Sequence, residues 1–102
     1  MNVDFIIDPG HGWLKVPLCV LDQWGLLPQI TPYSYIRLGV RQSFAYLEED
    51  CDASVFMAAA KQRGVSIKLR ERVAGQKESK VRRYEAFTCV RAHNYLALTR
   101  RA

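Results

Sequence analysis

The sequence predicts a single α+β domain: a small antiparallel sheet with about two helices packed on one of its faces, in the order ββαββαββ. Short runs rich in branched and aromatic residues recur along the chain, and two stretches carry apolar residues at helical spacing. Glycine or proline punctuates most junctions between them. With 102 residues the chain builds one two-layer core and no second domain, which excludes large multidomain enzymes.

Each element has a local reason. Residues 3–7 (VDFII) form a β-branched run that ends in the turn chemistry of Asp8-Pro9-Gly10-His11-Gly12. Residues 13–16 (WLKV) alternate as a second strand. Pro17 suits the first turn of a helix that runs to Trp24 and stops at Gly25, with Leu18 and Leu21 on one face. Residues 26–32 hold two prolines and are a connection. Residues 33–38 and 42–47 read as a hairpin turning near Gly39. The clearest helix follows, because Asp50 or Asp52 can cap it and Ala53, Phe56, Met57 and Ala60 fall at i, i+3, i+4 and i+7 before Gly64. Residues 65–70 (VSIKLR) alternate strictly, as a half-buried strand does. Residues 72–80 are a polar loop across which 81–87 pair back as the last strand. The compact domain then spans residues 1–88, and 89–102 are a basic C-terminal extension, either a short helix or a frayed end.

Charge is distributed unevenly. Residues 1–60 carry 3 Lys and Arg against 7 Asp and Glu, whereas residues 61–102 carry 12 against 3. The net +5 therefore conceals an acidic first part and a strongly basic last part. Basic elements that fold onto one face attract phosphate or an acidic protein surface; the same residues also serve simply to solvate a sheet face and blunt its edges. No apolar run reaches the roughly 20 residues of a membrane span. The first eight residues lack the basic n-region of a secretory signal. Cys19, Cys51 and Cys89 are odd in number and widely spaced, which fits reduced thiols in a cytosol better than a disulfide framework.

Lys68, Arg70, Arg72, Arg82 and Arg83, with Tyr84 among them, are the candidate contacts to a partner or to phosphate. Strand cations beside one aromatic make a platform on which bases stack and phosphates are met, although no established nucleic-acid module matches. His11 and Trp13 form a second candidate patch. Cys51 stands beside a helix N-terminus, which favours a thiolate, but Glu49, Asp50 and Asp52 oppose that effect. The acidic run 48–52 lacks the alternating oxygens and the glycine of a calcium loop. It offers instead a charged docking patch or a favourable interaction with the helix dipole.

The run Ile6-Ile7-Asp8-Pro9-Gly10-His11-Gly12 resembles the opening motif of the zinc-dependent N-acetylmuramoyl-L-alanine amidases. That resemblance implies a metal ligand at His11 and, at most, a second at His93. The chain departs from the pattern at once: Trp13 follows the glycine, and no Glu occurs before Glu48. A catalytic zinc needs three protein ligands and an open position, so neither metal nor cofactor is expected and a hydrolase centred on His11 ranks last.

A second resemblance covers most of the chain up to about Phe87. Gly10-His11-Gly12-Trp13-Leu14, Val16-Pro17, Tyr33-Ser34-Tyr35 and Tyr46-Leu47-Glu48-Glu49-Asp50-Cys51-Asp52-Ala53 are similar to a group of small uncharacterised proteins encoded by bacteriophages, prophages and plasmids. The resemblance implies an accessory gene of a mobile element and no catalytic residues. The expectation is a non-enzymatic binding protein that inhibits host machinery, of anti-CRISPR or antirestriction type. Its partner would be a host or phage protein complex with an acidic or nucleoprotein surface. Direct DNA or RNA binding is the alternative.

Overall fold

A computed structural model describes residues 1–74 and 77–99. The chain is an α+β domain built on a six-stranded sheet of order β5-β1-β2-β4-β3-β6. The strands are β1 (Asn2–Ile7), β2 (Gly12–Pro17), β3 (Tyr35–Arg37), β4 (Phe44–Glu48), β5 (Lys68–Val73) and β6 (Glu85–Ala86). The helices are α1 (Leu18–Gln23), α2 (Asp52–Gln62) and α3 (Cys89–Thr99), and two 3-10 turns cover Leu27–Gln29 and Lys80–Arg83. Among the described residues, no helix is long and apolar enough to cross a membrane.

All three helices contribute to one apolar layer, the front. There Leu18, Leu21, Ala53, Phe56, Ala92 and Leu96 meet Val3, Leu14, Val16, Ile36, Ala45 and Leu47 of the sheet. Phe5 opposite Leu14, Leu14 opposite Leu47, Val16 opposite Ala45 and Ala45 opposite Ile36 fix the register that turns these side chains forward. Trp24 stacks on Phe56 with centroids 5.3 Å apart, tying the end of α1 to α2. Gly25 and Gly64, the expected helix stops, both take a φ of 68°, the left-handed conformation that glycine adopts without penalty.

The sheet is mixed rather than antiparallel, because β5 pairs with β1 in parallel. The cause lies in the connection. β1 and β4 are both antiparallel to β2 and so run the same way, and the helical crossover through α2 starts β5 from the same end as β4. β5 begins at Lys68 rather than Val65, and no helix covers it: Leu69, expected inside, is 47% exposed and Val73 68%. Of the expected inward set, Ile67 alone packs against the core cluster.

Residues 81–87 do not form a strand beside β5. Ser79 Oγ accepts from Val81 N and opens a 3-10 turn, Val81 is buried on the back of the sheet with Trp13 and Tyr46, and the two-residue β6 joins β3 at the opposite edge. The helix count is three rather than two. Residues 89–99, expected as an extension that is a short helix or a frayed end, are helical: Thr88 Oγ1 accepts from Arg91 N at the start of α3, and Ala92 and Leu96 belong to the core. Residues 100–102 of that expected extension lie outside the described residues. The expected Asp cap of α2 is also absent. Cys51 is the N-cap, and Asp52 turns inward to accept from Thr31 N, Thr31 Oγ1 and Ser34 Oγ.

Because α3 supplies core rather than tail, Leu96→Ala should cost about 2–5 kcal/mol, read as a lowered urea midpoint. Leu98→Ala, at an exposed position on the same helix, should change the midpoint little.

Candidate functional site

The back of the sheet carries the chemistry. Its foundation is Asp8, the first residue of the sequence's turn motif. Asp8 Oδ1 accepts from Gly10 N at 3.1 Å and His11 N at 3.0 Å, which closes the turn between β1 and β2. Oδ2 accepts from Ser79 N at 2.9 Å and Arg82 Nε at 2.7 Å, and Arg82 Nη2 reaches Oδ1 at 3.0 Å. The Arg82 guanidinium, helped by the three backbone N–H groups, holds the Asp8 carboxyl well below the usual carboxylate range and outweighs the opposing effect of burial. A Cβ at Gly12 would stand 2.6 Å from Phe5 Cζ, so a larger residue there forces the Phe5 ring to move.

Arg82 lies over the indole of Trp13, 5.6 Å from the ring. Trp13 in turn meets Tyr35 edge-on at 6.2 Å and His11 at 6.0 Å. Trp13 and Glu48 are direct partners across β2 and β4, so their side chains rise together from the back face. With His11, Tyr33, Tyr35, Asp50, Cys51 and Arg82 they line a cavity of about 410 Å³. His11 Nδ1 stands 3.5 Å from Glu48 Oε1, an ion pair when the ring is protonated. Glu48 Oε2 accepts from Asp50 N at 2.8 Å. Ser34 Oγ accepts from Glu48 N while donating to Asp52, which locks the end of β4 to the start of α2.

Two polar atoms of the cavity residues, Trp13 Nε1 and Glu48 Oε1, are buried without a hydrogen-bond partner among the described residues. Burial pushes the Cys51 thiol up, only partly offset by the Thr31 hydroxyl at 3.6 Å, which favours the neutral thiol in the cavity wall.

The candidate contacts of the sequence fall into two groups. Lys68, Arg70 and Arg72 are exposed on the back of β5, opposite Asn2, Asp4 and Ile6. Arg70 Nε bonds Asp4 at 2.9 Å, and Arg72 stands 3.8 Å from the same carboxylate. One row of paired residues runs from Arg72 through Ile6 and Trp13 to Glu48, from the basic edge into the cavity. Arg82 and Tyr84 do not join the basic strand. Arg82 is committed to Asp8, and Arg83 is exposed on the 3-10 turn. Tyr84 is half-buried against Tyr46 at 4.9 Å, with Arg37 over its ring and bonded to its hydroxyl at 3.0 Å, so it is no exposed anchor. Burial, followed by the neighbouring Tyr84, pushes the Tyr46 hydroxyl up to about 12.

His11 and Trp13 do come together, but Trp13 is a buried cavity wall rather than a surface patch. His93 is exposed on α3, a helix of the front layer, whereas His11 lines the cavity on the back. Among the described residues, three ligand-type side chains converge only at Glu48, Glu49 and Asp50, where Asp50 N donates to Glu48 Oε2. Asp8, Tyr33 and Tyr35 are the site residues that sequence reasoning missed, and Glu48 entered it only as part of an acidic run; the alternation in residues 33–38 and 42–47 was visible, but not the register that sets Tyr35 and Glu48 beside Trp13. Comparison with protein-family models, with curated proteins and with solved structures finds no match to this chain.

Asp8 titrates below its ordinary value of about 4, so its stabilising contribution is complete above that pH and is lost as pH falls toward the native value. Asp8→Asn should therefore melt below the wild type at neutral pH, with the gap closing as pH drops from about 4 toward 2. Arg82→Ala should lower the melting temperature at pH 7 by roughly 5 °C or more, while Arg83→Ala leaves it nearly unchanged.

Proposed function

We propose that the protein is a non-enzymatic binding protein that engages single-stranded nucleic acid through the back of its sheet, acting in the bacterial cytosol as an accessory protein of a phage or mobile element. The observation that carries this reading is the row from Arg72 through Ile6 and Trp13 to Glu48, which joins an exposed basic strand to an aromatic cavity. β5 is exposed along its whole length, with Lys68, Arg70 and Arg72 on the back and the apolar Leu69 and Val73 on the other side. A cationic track beside aromatic rings is the common design of single-strand binders. The raised Cys51 and the saturated Asp8 favour binding over catalysis.

A second reading is inhibition of a host protein complex of anti-CRISPR or antirestriction type. It is favoured by the resemblance to phage and plasmid proteins and by an acidic cluster, Glu48, Glu49 and Asp50, close to the basic strand's sheet.

Fluorescence anisotropy of labelled single-stranded DNA and RNA oligonucleotides against salt decides between the two. Neutralisation of three phosphates gives a slope of log K on log salt near −2, at about −0.7 per contact. The triple variant Lys68→Ala, Arg70→Ala, Arg72→Ala should flatten that slope and weaken binding by about tenfold or more. Failure to bind either oligonucleotide would overturn the proposal; a nuclease-resistant complex with a defined host protein would then favour the second reading.

A further inference from the structure

We infer that the Trp13 cavity accepts one unstacked nucleobase of the bound strand, while the adjoining phosphates run over Lys68, Arg70 and Arg72. The inference rests on the nucleic-acid reading above and adds what the cavity recognises. At about 410 Å³ the cavity falls at the small end of the range of roughly 300–1,000 Å³ in which proteins hold small ligands. Behind its wall lie one donor and one acceptor that make no hydrogen bond among the described residues, Trp13 Nε1 and Glu48 Oε1, on residues paired directly across two strands; His11 Nδ1 stands 3.5 Å from the acceptor. A buried polar group without a hydrogen bond is costly, and once His11 turns away from Glu48 a planar heterocycle whose edge carries an acceptor beside an amino group can satisfy both.

The same pair argues against a simple organic cation. An ammonium or guanidinium group offers donors only, so the Trp13 N–H would stay unpaired. The face of Trp13 that would attract such a cation already carries Arg82. The rings left to stack on a base are those of His11, Tyr33 and Tyr35. His11 and Tyr33 form the rim, with 46% of the His11 side chain and 77% of Tyr33 exposed, and rotation of these two side chains opens the wall to an entering base.

Charge orients the ligand. Arg82 is neutralised by Asp8, so Glu48 and Asp50 make the cavity acidic and keep a phosphate out of it. Arg72 lies in the same row as Trp13, two strand spacings or about 10 Å away, a span that a short stretch of extended single strand covers. A carboxylate accepts from the exocyclic amino group of cytosine, whereas thymine turns a carbonyl oxygen toward it.

The test compares three labelled oligonucleotides of equal length: deoxycytidine, thymidine and abasic homopolymers. The deoxycytidine strand should bind tightest and the abasic strand at least about fivefold more weakly, the lower limit for one stacked base. Glu48→Gln should reduce the preference for cytosine over thymine and leave the salt slope unchanged. Trp13→Phe, which removes the N–H and keeps most of the ring packing, should also narrow the preference; circular dichroism and thermal melting verify that both variants fold. Equal binding of the abasic and deoxycytidine strands with a steep salt slope would overturn this inference and leave the proposed function standing. Absence of binding by all three would overturn both.

Discussion

A carboxylate with no exposed side-chain surface, Asp8, holds the back of this molecule together. It gathers hydrogen bonds from Gly10, His11, Ser79 and both branches of the Arg82 fork. Burial of a lone carboxylate is prohibitive, so the arrangement depends on the arginine and the backbone donors acting together. Their joint effect joins elements more than 70 residues apart: the β1–β2 turn and the 3-10 turn that crosses the sheet. Val81 can then cover Trp13 and Tyr46, and Arg82 can lie on the indole. The Arg82 wall of the cavity and the position of His11 follow from that one contact. Ser34 and Asp52 do the equivalent work on the other side of the cavity, where they fix the end of β4 against α2.

Much of the fold was legible in the sequence because local chemistry and global fold agree in most segments. The glycine stops at Gly25 and Gly64, the apolar spacing of α2 and the β3–β4 hairpin all correspond to observed elements. The errors share a cause. Alternation in residues 65–70 reports which side chains share a face, but not whether a helix covers that face, and β5 lies beyond the reach of all three. Parallel pairing is a property of the α2 crossover, which no window of sequence contains. Residues 81–83 read as strand because their anchoring residue, Asp8, is distant in sequence. Thr88 was a readable N-cap signal for α3, obscured by the loose apolar spacing after it.

The candidate site was legible only in part. The turn chemistry of residues 8–12 and the prominence of His11 and Trp13 stood out in the sequence, and both residues line the cavity. Composition also located the basic excess, but it grouped Arg82 and Tyr84 with Lys68, Arg70 and Arg72, when only the latter three lie on β5 and the former pack against Trp13 and Tyr46. Tyr35 and Glu48 joined the site through register, and register follows from turn geometry and from which face is buried.

The exposure of β5 has a kinetic side. A strand with no buried side chain is held by its ladder to β1, by the Arg70–Asp4 pair and by little packing. It should open by local fluctuation at a fraction of the free energy that unfolds β2 or β4. The positive track therefore rests on the least protected part of the sheet. Any polyanion that settles there stiffens an element the fold leaves loose, and amide exchange along residues 68–73 would report occupancy more sensitively than any change in the core.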